Sequence, residues 1–107
     1  MSNGDLAIDY GTLNTVALVR AVAGRTRQLL FDGSPLFPSA VLADRDGSLR
    51  TGRDAVRSAR IDPARYEPNP KRRIDEAAVL LGDVEVTTVD LIAAVLGRVA
   101  TEARRVA

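Results

Sequence analysis

Cysteine and histidine are both missing from this 107-residue sequence. The first absence removes a disulfide scaffold, and the two together remove the usual zinc sites and every histidine-based catalytic triad. An excess of one charge is missing as well. Fifteen basic and 14 acidic residues are interspersed and leave a net charge of +1, so there is no basic footprint for nucleic acid or for an anionic membrane surface. No apolar run reaches the 18 residues of a membrane span and no basic-then-apolar leader is visible, so a cytoplasmic protein that engages neither nucleic acid nor membrane is expected. Gly-x-Gly-x-x-Gly and Gly-Lys-Ser/Thr are also absent, and a bound phosphate would need another device. Lysine is nearly absent: Lys71 stands among fourteen arginines. Codon bias accounts for such a ratio, so its singularity alone is no functional signal.

What is present fits one domain, of a size that buries roughly 60–70% of the surface of its unfolded chain. Leu6-Ala7-Ile8 and Thr15 to Val22 read as strands, with Gly11 and Asn14 marking a turn between them. That gap is too short for a parallel crossover, so the pair is an antiparallel hairpin. Ala23-Gly24-Arg25 makes a second turn and Gln28 to Phe31 a third strand, which completes a β-meander. Phe37 to Ala43 returns to strand, and Asp46-Gly47 signals a hairpin before Leu49 to Thr51.

Asp54 to Ile61 places Ala55, Val56, Ala59 and Ile61 at helical spacing, and Asp62-Pro63 ends that helix. Residues 62 to 70 form a proline-rich connection, and Lys71 to Asp75 stay undecided. The clearest element is a helix from Thr87 to Arg105, capped by Thr87 or Thr88, with Asp90 in its first turn and Arg104 and Arg105 at its carboxyl end. Its expected buried face is Val89, Ile92, Ala93, Leu96, Val99, Ala100 and Ala103, with Arg98, Glu102 and Arg105 on another face. No element is assigned to residues 76 to 86.

The chemistry concentrates in "DLAIDYGTLNT", residues 5 to 15. Successive inward N–H groups of a tight turn form an anion nest, and glycine lets the backbone come close, so Gly11, Thr12, Leu13 and Asn14 are candidate phosphate ligands. Asp9 beside them would repel phosphate unless a cation stood between, and Mg²⁺, which keeps most of its waters, suits a lone carboxylate. The motif alone is equally ordinary turn chemistry.

"LAIDYGTLNTVALV" resembles the first phosphate-binding hairpin of the actin-like ATPase superfamily, most of all that of the DnaK-type (heat-shock protein 70) chaperones, which read Asp-Leu-Gly-Thr-Thr-Asn-Ser there. Three more blocks follow in the family's order: "LFPSAVLADRDGSLRTGRDA" is similar to its Thr-Pro-Ser strand, hairpin and helix start, "NPKRRID" to its Lys-Arg segment, and "VTTVDLIAAVLGRVATEA" to the helix that opens on a capped Pro-Glu-Glu. The resemblance implies a mixed α/β fold of the actin-like, ribonuclease H-like type, an antiparallel meander followed by hairpin and helices. Residues 1–36 would be the opening strands of lobe I with the phosphate loop, and 37–107 the inserted small subdomain and amphipathic helix.

It further implies ATP or ADP with Mg²⁺ in a longer parent. Asp9 would touch the metal through water, Gly11 to Asn14 would hold the β- and γ-phosphates, and Lys71 would be the catalytic cation facing the γ-phosphate. The second lobe, peptide clients and co-chaperones are the implied partners. The chain alone is not expected to hydrolyse ATP, and exposed apolar faces invite self-association.

Leu13 departs from the pattern by removing a hydroxyl from the phosphate side, and Tyr10 replaces an aliphatic residue. Three alternatives stay open at this level: a sugar or acetate-type kinase of the same fold, a non-hydrolysing interaction module, and an aspartic protease monomer. The last has its motif in the wrong order, because Tyr10 and not a hydroxyl residue follows the aspartate.

Overall fold

The computed structural model describes residues 4–20 and 24–106. The hairpin expected at the start is present: β1 (Asp5–Tyr10) pairs antiparallel with β2 (Asn14–Arg20), Asp5 opposite Arg20 and Tyr10 opposite Thr15. β3 (Thr26–Gln28) pairs with the far half of β2, and β4 (Phe37–Pro38) with its near end through Asn14 opposite Pro38. The third strand thus starts two residues earlier than its apolar run suggests. Leu29 still donates its N–H to Ala17 O at 2.9 Å, so the run does continue the ladder. The expected extension of the second strand through Ala21 and Val22, and Ala23 of the turn, lie outside the described residues.

A second sheet has β5 (Val41–Ala43) at its centre, between β6 (Leu49–Thr51) and β7 (Tyr66–Glu67). The Asp46-Gly47 turn joins β5 to β6 as read from sequence: Gly47 donates to Asp44 O at 2.9 Å, and the Asp46 carboxylate accepts from Ser48. α1 (Gly52–Ser58) follows at once. It opens on Gly52 at φ +60, where a Cβ would lie 2.2 Å from the Phe37 ring, so the aromatic packs straight onto backbone. Ala55 is buried as expected, but Ile61 is 90% exposed, because the helix has ended before it.

Residues 76 to 86, unassigned from sequence, hold a further hairpin, β8 (Ala78–Leu81) and β9 (Val84–Thr87), turning at Gly82-Asp83. α2 (Thr88–Val106) runs on from it, and Thr87 caps it by accepting the Asp90 N–H at 3.1 Å. The buried face of α2 differs from the expected one. Leu91, Val95, Val99 and Ala103 face the core, whereas Val89 is 75% exposed and Ala93 is exposed, with Ile92, Leu96 and Ala100 half-buried.

Glu102, placed on the polar face by its charge, is also buried, covered by Arg98 and Arg105. Side chains from the first sheet (Ala17, Val19), from β5 (Val41, Ala43), from β8 and β9, and from α2 share one apolar cluster. The fold is a mixed α/β arrangement of antiparallel sheets with two helices. Among the described residues no helix is long and apolar enough to cross a membrane.

Candidate functional site

The β1–β2 turn is built by close approach. Gly11 donates its N–H to Asn14 O at 3.0 Å, and a Cβ on Gly11 would lie 2.4 Å from that oxygen, so no larger residue fits. Closing the turn this way uses the Gly11 N–H. The N–H groups of Thr12 and Leu13 make no backbone hydrogen bond among the described residues, and Thr12, Leu13 and Asn14 are exposed. Leu13, at 71% exposure, presents an apolar side chain at the tip where a hydroxyl would serve a phosphate better.

Two buried hydroxyls brace the turn from below. Ser39 Oγ donates to Gly11 O at 2.9 Å and stands 2.9 Å from Thr15 Oγ1, while the Ser39 N–H goes to Leu13 O at 2.9 Å. Since the one Ser39 proton goes to Gly11, Thr15 donates to Ser39. Thr15 and Ser39 are both fully buried, so each bond is made away from competing water.

Lys71 reaches this turn from 61 residues away. It lies in a 3-10 turn, Pro70–Arg73, and its Nζ donates to Tyr10 O at 3.1 Å. The ammonium is exposed, makes no ion pair among the described residues, and has two further N–H donors. Glu67 fastens the 3-10 turn: its buried carboxylate accepts from Asn69 N–H at 2.8 Å and from Arg73 Nε at 2.7 Å. That bond, with a second from Glu76, holds the Arg73 guanidinium above its ordinary pKa. The Tyr10 ring packs against the core, and burial first, then the Glu67 charge, pushes its hydroxyl pKa up.

Asp9 sits one residue before Tyr10 and so points to the opposite face of the sheet. There it lines an open cavity of 320 Å³ with Ala7, Val16, Leu18 and Gln28. Among the described residues no three acidic side chains converge as a metal cluster. Any fit to Mg²⁺ is therefore limited to a single exposed carboxylate, which would leave the ion most of its waters. The structure brings Lys71 to the backbone at the start of the turn, at Tyr10, the residue after Asp9; among the described residues Lys71 makes no hydrogen bond or ion pair with Asp9 or with Gly11 to Asn14.

Ser39, Thr15 and Glu67, which position the turn and the lysine, were not singled out from sequence. A hydroxyl after Phe37-Pro38 and a lone acid between Tyr66 and Pro68 become informative only once their partners are known. No protein-family profile matches the chain, and no curated protein is significantly similar to it.

Proposed function

We propose that this chain carries the first phosphate-gripping hairpin of a DnaK-like, actin-fold nucleotide-binding domain in a cytoplasmic protein, with Mg·ATP or Mg·ADP as ligand. The observation that supports the reading is the hydrogen bond by which Lys71, 61 residues away in sequence, reaches the Tyr10 carbonyl at the start of the β1–β2 turn, next to the unpaired backbone N–H groups of Thr12 and Leu13. Thr12 and Leu13 N–H and the two spare Lys71 donors supply hydrogen bonds to phosphate oxygens, and the charged ones are the stronger. The Ser39 and Thr15 brace keeps those donors fixed before the ligand arrives, so little ordering is needed on binding. Asp9 holds the ion through water; bound Mg²⁺ neutralises phosphate charge. Peptide clients and co-chaperones belong to this reading as the partners that a DnaK-like protein would serve.

Exposed Leu13 favours a second reading, a domain that binds nucleotide without turning it over, since the turn offers one hydroxyl fewer to the phosphate. Both readings require the same binding. Titration with Mg·ATP, followed by amide resonances of Thr12 and Leu13 and by the one side-chain lysine resonance, is expected to give saturable shifts. Lys71→Met is expected to weaken binding about tenfold to hundredfold, the range for losing a charged hydrogen bond. Absence of any shift at about 10 mM, enough to saturate a site with a Kd of about 1 mM, refutes the nucleotide reading.

A further inference from the structure

α2 has two apolar stripes, and only one is used. Leu91, Val95, Val99 and Ala103 pack into the core. About a quarter-turn away, Val89, Ile92, Ala93, Leu96 and Ala100 form a second stripe that is exposed or half-buried along the helix. A surface helix needs one such stripe, and a second marks a face made for contact.

The two ends of this stripe differ in charge. At its amino end it borders a 500 Å³ groove lined by Ile74, Asp75, Glu76 and Val89, with Asp90 alongside. At its carboxyl end it borders a smaller groove lined by Asp5, Leu6, Val19, Ala100 and Arg104, where Asp5 is already paired with Arg20 and Arg104 is the charge left over. Asp75, Asp90 and Arg104 make no ion pair among the described residues. An acid end and a basic end on one straight face complement each other when the face meets itself reversed.

We infer that this face docks a second copy of the chain, α2 against α2 antiparallel about a two-fold axis near Leu96 and Gly97. Asp90 of each copy then lies over Arg104 of the other, on the solvent side of the contact, while the Leu96 side chains meet at the centre. Ala93 falls opposite Ala100, and with Gly97, where added side-chain atoms would meet open space, these small residues let the backbones come close. Antiparallel helices also bring opposite ends of their macrodipoles together. Nineteen residues span about 28 Å, so the helix alone covers less than the roughly 800 Å² per partner of a standard interface. The grooves at both ends add to it, and the dimer is of the weak, concentration-dependent kind.

Sedimentation from about 10 µM to 1 mM tests this across the range of weak association. The wild type is expected to shift from monomer to dimer, and Ala93→Glu, at an exposed position, is expected to stay monomeric with unchanged circular dichroism. Asp90→Arg and Arg104→Asp each turn two symmetry-related attractions into repulsions and are expected to weaken the dimer about tenfold. The double variant Asp90→Arg/Arg104→Asp is expected to return to within about threefold of wild type. A wild type that is monomeric throughout overturns the inference. So does a dimer that survives Ala93→Glu, which would place the contact elsewhere, such as the free edge of β1, or a double variant no tighter than the single ones.

Discussion

β5 and β1 are both short, largely apolar strands, and they end in opposite circumstances. All three residues of β5 are buried: a strand pairs on each edge, Val41 and Ala43 enter the main core, and Leu42 packs with Ala40 and Ala55 in a smaller cluster. Among the described residues β1 pairs only with β2, and Leu6 and Ile8 keep 38% and 36% of their surface exposed although they lie on the core-facing side. The difference lies in what the rest of the chain brings to the second edge and the second face. Rigid support accumulates around β5, while Asp9 and the turn that follows it stand at the margin, where a ligand can reach them. A binding loop on an open strand needs bracing from a closed region, and Ser39, one residue before Ala40 and the β5 strand, supplies it.

The largest effect expected from this contrast is at Leu42. Leu42→Ala removes a buried side chain from its cluster with Ala40 and Ala55 and should cost about 2–5 kcal/mol in denaturant unfolding. Ser39→Ala comes next. It leaves the Gly11 carbonyl and the Thr15 hydroxyl without their partner, and should cost about 1–3 kcal/mol while speeding hydrogen exchange at Gly11 and Ser39. Equal exchange rates in Ser39→Ala and wild type would break the claim that Ser39, in the link from β4 to β5, braces the turn.

Acid should separate the two regions further. Glu102, beneath the end of α2, is held below the usual carboxylate pKa first by the Arg105 hydrogen bond, with Arg98 adding to it, against the opposing effect of burial. A depressed folded pKa means that its stabilisation is complete above the unfolded value of about 4.3 and is lost as pH falls through the lower folded value. Amides of β3, which neighbours this helix end through the Arg27 bond to Val106 O, should therefore lose protection relative to the intrinsic exchange rate at each pH on acidification, and those of β5 should not. Glu102→Gln should flatten the response. The smallest effect is expected at Leu6, where Leu6→Ala should cost under about 1 kcal/mol in dilute monomer, since much of that side chain stays in water. A cost as large as that at Leu42 would show β1 to be as well covered as β5.

The opening hairpin, the Asp46-Gly47 turn and the limits of α2 were legible because local chemistry decides them: turn residues, β-branched runs and a threonine cap. The β8–β9 hairpin has only Gly82-Asp83 between two short apolar runs as its local signal, and no element is assigned there from sequence. The orientation of α2 was not legible. Val89, Ile92, Ala93 and Leu96 form as good an apolar stripe as Leu91, Val95 and Val99, so periodicity alone cannot choose between them. The candidate site was legible in part. Asp9 and Gly11 to Asn14 lie together in sequence, but Lys71 joined them only through a family resemblance, and Thr15, Ser39 and Glu67 gave no local sign of their tasks.

From sequence alone came the opening hairpin, the Asp46-Gly47 turn, the two helices, a turn marked by Gly11 and Asn14, and the chemical classes that a chain without cysteine or histidine excludes. These follow from interactions among near neighbours, whose energies depend little on the rest of the molecule. Tertiary structure decided which helix stripe is buried, which strand edge stays open, and that Lys71 rests on Tyr10. Each of these depends on partners dozens of residues apart, and burial is settled by the competition among all apolar surfaces for one small core.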